Sequence, residues 1–199
     1  WLIPEPISAL PPGTVVKETK GFAKPWIGMA HGHFGADLTL LTLNGVHPIG
    51  NRSYYDSFDY DSSEWGNSHI RTWLRNDFYN GLSERFRTAV EPTTTLTYGK
   101  TLTDETAFLL SAAEWGYTST YNMYRNHGTV VAGAESFRTI DADYWTRSPG
   151  YDNSPSLFYV KKDGTISIRH YEFTAMGVRP SVNIGSAGEV YGPYYDENG

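Results

Sequence analysis

Two arginines stand where apolar strands would otherwise run. Arg147 lies in Tyr144-Trp145-Thr146-Arg147-Ser148-Pro149-Gly150, and Arg179 in Gly177-Val178-Arg179-Pro180-Ser181. A guanidinium keeps its charge and offers a planar fork of donors, which suits carboxylate or phosphate. Each arginine therefore binds an anion or is buried against a carboxylate or backbone carbonyls. The second use is expected, because a charge among core-type residues such as Trp145 and Val178 must be paired. Six histidines are present: His31, His33, His47, His69, His127 and His170. His31 and His33 would share one face of a strand and could begin a metal site. The glycine between them fits a turn better, and spacing supplies no third ligand. Asp56, Asp59, Asp61 and Glu64 cluster carboxylates of the kind calcium takes, without the EF-hand spacing. No cofactor is expected; calcium at these carboxylates is the alternative to a plain packed surface loop. Hydrolytic chemistry finds no Gly-x-Ser-x-Gly elbow, and no glycine-rich phosphate loop precedes a helix. Carboxylates suffice for a glycosidase pair, but sequence gives no separation between them.

The totals narrow the classes. The chain has 199 residues and no cysteine, so thiol nucleophiles, disulfides and cysteine-bound zinc are excluded. A formal charge of −6, with lysine and arginine scattered, argues against a nucleic-acid partner. The longest apolar run, Leu38 to Leu43, is interrupted by threonine and is far too short to cross a bilayer. Fifteen tyrosines and six tryptophans point to a β-rich core or an aromatic binding surface. Because the first residue is tryptophan, a fragment or processed product is expected.

The elements that must position these side chains follow from pattern. Residues 1–12, with four prolines, read as an extended lead-in, and residues 185–199 as a Gly/Tyr-rich tail or linker. Strands are expected at Gly13–Lys17, Pro25–Ala30, Asp37–Leu43 (buried on both faces), Thr93–Thr97 and Ala107–Leu110. Asn67 or Ser68 caps a helix with Ile70, Trp73, Leu74 and Phe78 on its apolar face, and Leu82, Phe86 and Val90 mark a second. Ser111 and Glu114 form a capping box, so a brief helix should begin there. Lys161-Lys162-Asp163-Gly164 joins two β-prone runs as a hairpin. Ser53 to Gly66 reads as a long irregular loop. The strands of Trp145 and Val178 are expected side by side in one antiparallel sheet. They would hold either a binding surface between them or merely polar loops.

These residues also carry a resemblance. Thr72-Trp73-Leu74, Ala107-Phe108-Leu109-Leu110-Ser111-Ala112-Ala113-Glu114, Trp145-x-Arg147-Ser148-Pro149 and Gly177-Val178-Arg179-Pro180 occur in that order. The set resembles a poorly characterised domain of phage virion and bacterial surface proteins. That domain is similar to the C-type-lectin-like group, with formylglycine-generating enzyme and the variable proteins of diversity-generating retroelements. The match runs from about Gly13 to Ile184, a domain of residues 13–184. It implies an α+β, C-type-lectin-like fold: two helices packed on a small twisted antiparallel sheet with long loops. It also implies ligand binding by the segments before the closing strand. By position these are Tyr151, Asp152, Asn153, Ser154, Ser156 and Phe158, with His170, Tyr171, Glu172 and Phe173. Such residue types are also what adenine-directed diversification leaves. The calcium-binding Glu-Pro-Asn, Gln-Pro-Asp and Trp-Asn-Asp triplets of sugar-binding lectins are absent, and the missing cysteines exclude formylglycine chemistry.

The expected function is thus a non-catalytic recognition module on a virion or cell surface, such as a tail or receptor-binding protein in host attachment. Its ligand would be a host-surface glycan or protein. Its other partners would be virion or surface-protein subunits, further copies of itself included, without nucleic acid or membrane insertion. Two alternatives stay open. One is a surface-polysaccharide hydrolase with carboxylates in the Ser53–Gly66 loop. The other is an architectural decoration domain.

Overall fold

The computed structural model describes residues 5–6, 10–17, 25–43, 65–97, 100–118, 128–150, 156–170, 176–185 and 189–190. Eleven strands are described. β1 (Glu5–Pro6), β2 (Val15–Lys17), β3 (Pro25–Ala30) and β4 (Leu38–Thr42) precede the helices. β5 (Thr93–Thr97) and β6 (Lys100–Glu105) follow them, then β7 (Tyr144–Pro149), β8 (Ser156–Val160), β9 (Ile166–His170), β10 (Ser181–Ile184) and β11 (Glu189–Val190). They form four sheets: β1-β11, β10-β4-β3-β2, β5-β6 and β7-β8-β9, with every pairing antiparallel. The architecture is mixed, with small antiparallel sheets and few helices. No helix among the described residues is long and apolar enough to cross a membrane.

β4 reads Leu-Thr-Leu-Leu-Thr and is buried on both faces, as its nearly continuous apolar sequence requires. It lies between β3 and β10, and the buried hydroxyl of Thr39 donates to Asn183 Oδ1 at 2.8 Å. The lead-in and tail are not independent of one another, since β1 pairs with β11 through Glu5 opposite Val190.

The first helix, α1 (His69–Trp73), starts where Ser68 accepts from the Arg71 amide at 3.1 Å. It runs on as a π-helical turn, Leu74–Phe78, marked by the bond from Tyr79 N–H to the Leu74 carbonyl. Ile70, Leu74 and Phe78, four residues apart, form the buried line, and Trp73 flanks it half-buried. Trp73, expected on the same apolar face, packs against the core from its edge and is not buried within it. In α2 (Glu84–Ala89), capped by Ser83, Phe86 is half-buried and stacks on the core residue Trp26 at 5.2 Å.

Two expectations about strands are changed, and the brief helix at Ser111 is the shortest it can be. Trp145 and Val178 do not share an antiparallel sheet. β7 belongs with β8 and β9, while the closing strand β10 belongs with β4. The two segments touch through one parallel bridge, Tyr144 with Gly177. Ala107–Leu110 is fully buried but is not a strand. Phe108 alone bridges to Ser181, because Arg147 captures the carbonyls of Leu109 and Leu110. At Ser111 the capping box forms in both directions, at 2.9 and 3.0 Å, yet the helix is a single turn. Gly116 at φ 89° closes it, with Gly116 N–H on the Ala113 carbonyl and Tyr117 N–H on the Ala112 carbonyl.

The Lys161–Thr165 hairpin is as expected. Gly164 takes φ 84°, and the Asp163 carboxylate accepts from both the amide and the hydroxyl of Thr165. Those two bonds hold the Asp163 carboxyl below its usual range.

Candidate functional site

Arg147 reaches the interior because β7 bulges. Trp145 faces Tyr159 and Pro149 faces Leu157, so β7 advances four residues while β8 advances two. Inside the bulge the backbone leaves β8. Thr146 Oγ1 donates to the Phe158 carbonyl at 2.9 Å, and Arg147 N–H turns to the Leu110 carbonyl. The guanidinium then spends every donor. Nε points to Thr97 Oγ1 at 3.3 Å, Nη1 to the Leu109 carbonyl and Glu114 Oε2 (2.6 Å each), and Nη2 to the Leu96 carbonyl (3.4 Å) and Glu114 Oε1. Arg147 and Glu114 are both wholly buried. Glu114 Oε2 also accepts from the Ser111 amide, so one carboxylate serves as helix cap and counter-ion together. This constellation has no donor left for an external anion, and its role is structural.

Arg179 has a different solution. Nε donates to the Thr42 carbonyl at 3.0 Å, Nη1 to the Phe137 carbonyl and Tyr144 Oη, and Nη2 to the Leu43 carbonyl. Its guanidinium lies 5.6 Å from the centre of the Trp115 ring and 5.4 Å from that of Tyr144. Burial lowers its pKa and pushes the Tyr144 phenol up to about 12. The sequence thus foretold the two kinds of burial, carboxylate for Arg147 and carbonyls for Arg179, without assigning them. Partners it missed are Glu114, read only as a cap, and Glu105. Glu105 is buried and accepts from Trp65 Nε1 at 2.9 Å and from Arg71 Nε and Nη2 at 2.8 and 2.6 Å.

The histidine pair is not on a strand, because β3 ends at Ala30. Both ring nitrogens of His31 lie against carbonyls, Nδ1 at 2.7 Å from Asp37 and Nε2 at 2.6 Å from Leu10. His33 sits in the following turn with its ring edge-on to Phe34. No group of three metal-ligating side chains occurs among the described residues. The calcium candidates Asp56, Asp59, Asp61 and Glu64 lie outside the described residues.

Of the candidate ligand-binding residues, Tyr151, Asp152, Asn153, Ser154, Tyr171, Glu172 and Phe173 also lie outside the described residues, but their anchors are described. Ser156 at the start of β8 pairs with His170 at the end of β9. Both are half-buried, and Arg169 beside them is exposed. Gly150 N–H donates to the Ser156 carbonyl at 2.7 Å and closes the β7–β8 connection. A Cβ on Gly150 would stand 2.8 Å from Ile168 Cγ2 and 3.0 Å from Ser156 Cβ, so any side chain there would collide with residues of β8 and β9. Segments 151–155 and 171–175 therefore both attach at the open end of the β8–β9 hairpin. Phe158 is corrected: it is 1 % exposed, with its ring 4.9 Å from that of Tyr117. Ser156 sits at the β8 end and Phe158 two residues inward, where the strand enters the core.

No curated protein and no solved structure matches the chain. The family model described as a domain of unknown function (DUF6273) matches residues 36–186, a span that includes both buried arginines, and the chain belongs to that family.

Proposed function

We propose that this domain is a non-catalytic recognition module of C-type-lectin-like type, displayed on a virion or cell surface, that binds a host-surface glycan or protein. The observation that supports this reading is the cross-strand pair Ser156–His170, with Gly150 locked against both β8 and β9. One rigid hairpin end carries both segments that hold the aromatic and small polar residues. Tyr151, Tyr171 and Phe173 would supply contact area at low entropy cost, and Asp152, Asn153, Ser154, Ser156, His170 and Glu172 adaptable hydrogen bonds. The internal use of every Arg147 donor supports a scaffold rather than an anion-processing centre.

Binding of the purified chain to host cells tests the proposal, beside melting curves of the same variants. Tyr151→Ala or Tyr171→Ala weakens attachment by more than ~1 kcal/mol, since a few aromatic residues usually carry such a surface. Full binding by a folded variant in which Tyr151, His170, Tyr171 and Phe173 are all alanine overturns it. New reducing ends released from surface polysaccharide would mark a hydrolase instead.

A further inference from the structure

The turn after β3 holds three left-handed residues in four positions: Gly32 at φ 69°, Phe34 at 57° and Gly35 at 77°. Glycine takes this conformation freely, whereas Phe34 is strained in it and is held by edge-on packing against Phe108 at 5.1 Å. Between them, His33 presents an Nε2 that is buried and has no hydrogen-bond partner among the described residues. The turn packs against β5, whose residues Thr93-Thr94-Thr95-Leu96-Thr97 include no ionisable side chain. His31, its neighbour, is engaged with the carbonyls of Leu10 and Asp37. The charges felt by the His33 ring are those of Glu114 and Arg147. These two are bonded to one another in bidentate fashion, and at His33 the pull of the carboxylate outweighs the push of the guanidinium, while burial outweighs both.

We propose that His33 is a proton-sensitive latch: neutral, it lets the Gly32–Gly35 turn stay seated against β5, and protonated, it releases the turn. An imidazolium carries a donor on each nitrogen, and the buried Nε2–H would find no acceptor. Burial pushes the His33 pKa below 6.5, with Glu114 raising it and Arg147 lowering it further. The opened turn therefore takes a proton more readily than the seated one. The stabilisation from a neutral His33 is complete above pH 6.5 and is lost as the pH falls towards the lowered folded value.

The experiment is hydrogen exchange and NMR on the whole chain from pH 7.5 down to 4.5. The reporters are the Gly32 amide, bonded to the Ala36 carbonyl, and the Ala36 amide, bonded to the His33 carbonyl. Their protection, corrected for intrinsic exchange, falls below pH 6.5 by up to about tenfold per pH unit and then levels off. In His33→Gln, neutral at every pH, it stays flat through that window. A ring titration of His33 at or above 6.5, or the same pH dependence in His33→Gln, overturns the proposal. Should His33→Gln fail to fold, the wild-type ring titration decides alone. A midpoint below 6.5 that tracks the loss of protection supports the latch, and any other result removes it.

Discussion

At the scale of single residues, the chain uses two arginines as struts and satisfies each by a different route. Arg147 depends on Glu114, and neither reaches solvent. Removing one partner of a buried pair leaves an uncompensated charge, so Arg147→Ala is expected to destabilise by about 3–5 kcal/mol. Replacing both with apolar residues of similar size, Arg147→Met with Glu114→Leu, should cost less than the two single changes added together, because the desolvation penalty disappears with the charges. Urea titrations of the four proteins of this cycle measure the coupling. Additive losses would mean that Glu114 acts only through the Ser111 cap. The type of each residue was enough to say that the arginines are spent inside. The identity of the partners was not, because Glu114 lies 33 positions from Arg147 and nothing local links them.

At the scale of elements, local pattern was a good guide wherever the backbone bonds to near neighbours. The Asp-Gly hairpin, the Ser68 cap and the doubly buried β4 follow from their own residues. It failed at Ala107–Leu110, where an apolar strand was expected but the ladder is replaced by bonds to a distant arginine. It failed again in pairing the Trp145 and Val178 segments, because sheet partnership depends on contacts far apart in sequence and β10 has Leu38–Leu41 to pair with. The candidate rim was legible only in part: the Ser156–His170 pair was not foreseen, and Phe158 was placed outside when the strand takes it inside. Position within the element also separates two tryptophans of equal hydrophobicity, Trp145 in β7 and Trp73 in α1. Trp145 is 1 % exposed, and its replacement by alanine should cost roughly 3–5 kcal/mol. Trp73 flanks the buried line of α1, so Trp73→Ala should cost about half as much, in proportion to the apolar area it removes from water. Chemical denaturation of both variants gives the comparison. Equal losses would place Trp73 in the core after all.

At the scale of the whole molecule, Arg179 joins two sheets. Its bonds to the carbonyls of Thr42 and Leu43 lie at the end of β4, and those to the Phe137 carbonyl and Tyr144 Oη lie beside the start of β7. The bridges Tyr144–Gly177 and Phe108–Ser181 run alongside. With the sheets connected through a buried, rigid fork, the described body should unfold in one step, and circular dichroism and tryptophan emission should give coincident transitions. Arg179→Lys tests whether the fork matters or only the charge. A lysine keeps the cation but has a single compact head, and it cannot reach carbonyls on both sides at once. At least one buried carbonyl then loses its donor, at about 1–3 kcal/mol. The expected result is a lower melting temperature, with separation of the two optical transitions as the β4 and β7 sheets part. A lysine variant that melts like the wild type, with both probes still coincident, would show that packing around Trp115 and Tyr144 joins the sheets without the guanidinium.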